Sequence, residues 1–237
     1  MKRFLACSMG LILAIAPAFA ASGTAISTAS NGGRATATSV ATGNANSLAI
    51  AGATNGGRAD AVSAARGSYN GYADSRSVAT ADHGLAQSRA NADAFGVWGG
   101  SAIADSESIA ATIGGVALSN SDALADGTFN GRAVSRSTST SLSDHGEAVS
   151  DSRAVSRGAL GGRATSVSDS ISDSFGGRSI SNVRAISDAG YHADASADGV
   201  GVSQSRFRVV RTDVHAEGRA HRFGRSASRA VLIRTNP

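Results

Sequence analysis

Cysteine, proline, lysine and aromatic residues are all scarce in this 237-residue chain, which has one Cys, two Pro, one Trp, three Tyr and seven Phe. The only cysteine is Cys7, inside an N-terminal leader, so the exported chain can form neither disulfides nor cysteine metal sites. The shortage of Leu, Phe and Trp excludes an ordinary globular core. Pro17 and Pro237 lie outside the repetitive body. Basic residues number 22 against 18 acidic, and without Lys2 and Arg3 the excess falls to two, so nucleic-acid binding is not indicated. No apolar run reaches the roughly 20 residues of a membrane-spanning helix.

Residues 1–20 read as a secretory signal. Lys2 and Arg3 precede an apolar stretch, and Ala18-Phe19-Ala20 forms a small-x-small cleavage site. A lipoprotein reading of Phe4-Leu5-Ala6-Cys7 fails, because almost no apolar stretch precedes the cysteine. The expected location is secreted, periplasmic or cell-surface. An exported chain without disulfides points to a bacterium.

What is abundant is Gly, Ala and Ser, and they are periodic. Glycine-containing turns recur at nearly even intervals, at Gly57, Gly71, Gly84, Gly100, Gly115, Gly131, Gly146, Gly162, Gly177 and Gly190. NGGRA occurs at 31–35 and 55–59, and GGRA at 161–164. Between turns every second residue is small, and sustained period-two alternation specifies β-structure. A disordered Gly/Ser/Ala chain would share the composition but not the parity. The expected fold is all-β: a single-chain β-solenoid or parallel β-roll of roughly 10–12 short rungs and about 50 Å. Each repeat of about 15 residues is expected to hold two short strands. Residues 21–205 form this domain, and 206–237 form an Arg-rich cap or tail.

The charges orient the strands. Arg132, Arg163 and Arg178, Asp122 and Asp169, and Asp126, Asp173 and Asp188 all occupy the parity opposite to the small residues. Burying a charge in every rung is prohibitive, so Ala, Ser and Gly must face inward around a thin core. Their hydroxyls are expected to bond to one another or to backbone. The outward parity also carries Ile103 with Ile109, Leu118 with Leu124, Val149 with Val155, Ile180 with Ile186, and single Val134 and Ile171. Stacked, these form apolar columns, read as self-association surfaces. A homo-oligomer is expected, most simply a trimer.

NSLAIAGATNGGRADA at 46–61 and GGVALSNSDALADG at 114–127 resemble the head repeats of trimeric autotransporter adhesins. The similarity covers about residues 31–205. It implies a parallel β-roll that trimerises and binds matrix proteins or surfaces. The heptad stalk and the amphipathic membrane strands of that family do not occur in this sequence.

The C-terminal segment carries Arg208, Arg211, Arg219, Arg222, Arg225 and Arg229. It is read as a terminal cap, or as a patch contacting lipopolysaccharide, acidic polysaccharide or extracellular DNA. No catalytic, cofactor or metal site is expected. Asp82-His83-Gly84 and Asp144-His145-Gly146 repeat one motif, read as turns about four rungs or ~19 Å apart. His215 and His221 lack a third ligand. No G-x-S-x-G elbow or phosphate loop occurs, and GGRADAVSA at 56–64 departs from the calcium-binding nonapeptide at Ala59 and Asp60. The expected role is a non-enzymatic structural or adhesive protein of a cell surface or extracellular matrix. A fibre subunit of functional-amyloid type is the alternative, and an ice-binding solenoid the second alternative.

Overall fold

A computed structural model describes residues 21–67, 71–96, 101–128, 132–159, 163–190, 194–206, 209–221 and 225–235. The leader, Arg208 and Arg222 lie outside the described residues. The chain forms strands β1 (Ala21–Ala29), β2 (Arg34–Thr42), β3 (Ala45–Ala53), β4 (Arg58–Gly67) and β5 (Tyr72–Asp82). There follow β6 (Leu85–Gly96), β7 (Ser101–Ile113), β8 (Val116–Gly127), β9 (Arg132–Asp144) and β10 (Glu147–Gly158). The last are β11 (Arg163–Phe175), β12 (Arg178–Ala189), β13 (Asp194–Ser205), β14 (Val210–Ala220) and β15 (Arg225–Thr235).

Odd-numbered strands make an eight-stranded sheet and even-numbered strands a seven-stranded one, each in chain order. Every neighbouring pair is parallel, in one-to-one register. The molecule is thus the expected parallel β-solenoid, with a different coil. Each repeat unit is one long strand and one corner, not two short strands, so two units complete a coil. The coil also widens along the chain. Ala35 pairs with Ala59, Ala45 with Ala73, and Ala73 with Ala104, so the step grows from 24 to 28 and then holds at 31. Eight strands spaced ~4.8 Å apart span about 34 Å, shorter than the sequence suggested.

The inward parity is as expected. Ala164, Ser166, Ser168, Ser170, Ser172 and Ser174 are all buried, and the core is almost wholly Ala and Ser. Two chains of hydroxyls cross it from sheet to sheet. In one, Ser88 donates to Ser77 O (2.7 Å), Ser108 to Ser88 Oγ (2.9 Å), Ser119 to Ser108 O (2.6 Å) and Ser139 to Ser119 Oγ (2.9 Å). Ser150 then donates to Ser139 O (2.9 Å), pairs with the Ser170 hydroxyl, and Ser181 donates to Ser170 O (2.8 Å). The other runs through Ser106, Ser121, Ser137, Ser152 and Ser168. Each bond offsets the desolvation that a buried hydroxyl would otherwise suffer.

Where the core residues grow, the facing strand shrinks. Val183, Thr212 and Val214 point inward near the C-terminal end, and β13 answers with Gly199 and Gly201. A Cβ on Gly201 would lie 2.6 Å from both Thr212 Cγ2 and Val214 Cγ2. At one corner Gly84, Gly115, Gly146 and Gly177 stack so closely that a Cβ on any of them would collide with the carbonyl oxygen of the glycine one coil earlier.

Candidate functional surface

The solenoid presents two outer sheet faces, each a set of columns one residue wide. Parallel in-register stacking forces this, since residues of like parity align from coil to coil. On the odd sheet one column reads Ile26, Ile50, Val78, Ile109, Thr140, Ile171, Val202, Ile233. Every strand contributes a β-branched residue, the type that packs best on a pleated surface. Ile26, Ile171 and Ile233 are 68%, 41% and 44% exposed. The adjacent column reads Thr28, Gly52, Thr80, Ala111, Leu142, Asp173, Gln204, Thr235, so these two columns together hold one charge, Asp173.

The ten apolar residues singled out from the sequence divide between opposite faces. Ile103 and Val134 share an odd-sheet column with Tyr72, and Ile109 and Ile171 belong to the β-branched column. Leu118, Val149 and Ile180 form one even-sheet column, and Leu124, Val155 and Ile186 another. Val134 and Val155 are buried, at 7% and 5% exposure, so neither offers much surface. The even-sheet columns are short. The first runs from Thr36, Asp60 and Gln87 into its apolar centre and ends on Arg211; the second begins Thr42, Arg66, Asp93 and ends on Glu217. Ile26, Ile50, Val78, Val202 and Ile233 escaped the sequence reading. The signal that finds them is a β-branched residue at steps of 24, 28 and then 31.

Charge dominates the even face. Asp60 is clasped by Arg34 (2.7 Å) and Arg58 (2.9 Å), and Asn182 donates to Asp151 at 2.6 Å. Burial, against the pull of Arg153, holds the Asp122 carboxyl above the usual carboxylate range, and burial does the same at Asp126. On the odd face burial and neighbouring Asp74 raise Asp105; burial and Asp198 raise Asp169. Asp169 Oδ1 is buried with no hydrogen-bond partner, beside the β-branched column.

The Arg-rich segment continues the solenoid rather than forming a separate cap. β14 pairs with β12 and β15 with β13, residue for residue. Its described arginines divide between the two faces. Arg211 and Arg219 lie on the even face, bound to Asp213 (2.8 Å) and Glu217 (2.6 Å), while Arg225 and Arg229 lie on the odd face beside Asp194 and Asp198.

The histidine motifs are corners. His83 and His145 have φ of 51° and 56°, in the left-handed region that Asn31 and Asn55 occupy at earlier corners. The two lie on one edge with Gly114 between them, two coils or about 10 Å apart, half the separation expected from the sequence. That still exceeds what one metal ion can bridge. His145 meets Phe175 edge-to-face at 5.2 Å, and Arg206 covers that ring at 5.4 Å, lining one end of a groove with Ile113 and Leu142. Among the described residues, no helix is long and apolar enough to cross a membrane. Comparison with protein-family models, with curated proteins and with solved structures finds no match to this chain.

Proposed function

We propose that the chain is an exported, non-enzymatic structural or adhesive protein of a bacterial surface or matrix, working through lateral self-association of its odd face. One observation carries this reading: the unbroken β-branched column from Ile26 to Ile233, flanked on one side by a column with a single charge and on the other by one whose charges are Arg76, Glu107 and Asp169. A contiguous exposed apolar stripe on a soluble chain marks a contact surface. The core supports the same reading. Ala and Ser side chains bury little apolar area, at about 25 cal/mol per Å², so packing a second apolar layer adds burial that the interior cannot supply. A pair of chains is favoured over the trimer expected from the sequence. A ring of three needs two different contact faces on each chain, and only the odd face has a charge-poor band. The resemblance of the repeats to adhesin heads accords with a surface role.

Light scattering on the exported chain at micromolar concentration tests this. A mass of two chains or more is expected, and a mass of one chain overturns it. Thioflavin-positive fibres growing from the ends would instead favour the fibre subunit, since β1, β2, β14 and β15 each lie at the end of a sheet.

A further inference from the structure

The register of the odd sheet specifies how a second copy fits against it, which deepens the self-association reading and rests on it. Two copies can meet face to face, β-branched column on β-branched column, in two ways. If the two-fold axis runs along the solenoid, each coil meets the same coil. Asp169 then faces the partner's Asp173, and Asp74 faces the partner's Asp82, both like-charge encounters. If the axis runs along the strands, between β7 and β9, the coils meet in reverse order. Strand β5 then lies on β11 of the partner subunit and β7 on β9 of the partner subunit.

In this reversed arrangement the charges match. Arg76 faces the partner's Asp169, and Asp105 faces the partner's Arg136. Thr80 faces the partner's Asp173. Within the stripe Val78 meets the partner's Ile171, and Ile109 meets the partner's Thr140. Across the columns flanking the stripe no like charges meet. Like-charge juxtaposition selects against wrong pairings, whereas opposite charges fix register. A second, independent observation concerns Asp169. Its Oδ1 is buried without a hydrogen-bond partner in the single chain, an expensive condition for a carboxylate, and the reversed pairing sets a guanidinium over the half-exposed carboxylate, whose charge it offsets.

We infer that the odd face is a self-complementary docking surface for a second copy of this chain, paired in reverse coil order about a two-fold axis between β7 and β9, with Arg76 and Asp169 as the reciprocal ion pair.

The exported chain carries no cysteine, so engineered thiols report the geometry directly. Chains bearing Val78→Cys and Ile171→Cys are mixed and oxidised. A disulfide joining the two different chains is expected, with little self-linking of either. Self-linked Val78→Cys chains would show the coil-on-same-coil arrangement and overturn the inference. An intact oligomer with no disulfide would also overturn it. Only a one-chain mass before oxidation would count against self-association itself. The charges give a second test, read as a dissociation constant. Arg76→Asp and Asp169→Arg should each weaken association about tenfold. Mixing the two variants should restore it, because one contact re-forms as the native Asp169–Arg76 pair and the other re-forms with its signs exchanged; failure of that rescue, with both variants folded by circular dichroism, overturns the assignment.

Discussion

The two faces of this solenoid share one interior and differ only outside. Odd and even strands contribute the same small inward residues and the same hydroxyl chains, yet one outer face carries a stripe spanning eight strands and the other carries ionic columns. Parity determines which residues face the interior. The phase of the repeat, one strand against the next, determines which outward residues line up. A β-branched residue can return on every odd strand because alternate units vary independently of each other. The stacked neighbour that an outward residue touches lies a full coil away, not one unit away.

Several substitutions would break or sharpen this contrast. The largest effect removes both faces at once: Gly146→Val places a side chain against the Gly115 carbonyl, and the chain should lose its cooperative melting transition and its β circular dichroism. Next, Ile171→Asp should abolish self-association without unfolding the chain. Val149→Asp, on the even face, should leave the mass of the assembly unchanged; equal effects at both positions in sedimentation would erase the distinction between faces.

Inside, Ser170→Ala should cost about 1–3 kcal/mol, because it leaves the Ser150 hydroxyl and carbonyl short of a partner. Ser166→Ala should instead stabilise the chain by about 1 kcal/mol, since it removes a buried hydroxyl that has no hydrogen-bond partner. Chemical denaturation of the two variants side by side checks the pair. The smallest effect is on pH. Burial raises the carboxyls of Asp105, Asp122, Asp126 and Asp169 in the folded chain. Groups so raised contribute stability that is complete below the unfolded carboxylate pKa and is lost as pH rises through the folded value. The melting temperature of an unassociated variant should therefore fall as pH rises through and above the ordinary carboxylate range. Asp122→Asn should flatten that slope, and a melting temperature that rises with pH would contradict it.

Much of this architecture was legible in the sequence. Charges such as Asp169 and Arg163 on one parity oriented each strand, and Ser or Ala on the other marked the core. The coil length was not legible, because one repeat unit is long enough for a single long strand or for two short ones. Its trace lay in the turn glycines, whose spacing alternates 16, 15, 16, 15, 16, 15 between Gly84 and Gly177. Two kinds of corner alternate, and only one kind carries Asp-His-Gly or Asn-Gly-Gly. Reading one unit as one rung merged Ile171 with Ile186, which the structure places on opposite faces. The stripe stayed hidden for the same reason, since Ile26 and Ile50 belong to shorter early coils with a different step.

The constant coil step beyond Ala73 makes copy number a free variable. An insertion or deletion of 31 residues there preserves parity and register in both sheets. Chain length can then change only by whole coils, each adding or removing one member of every column.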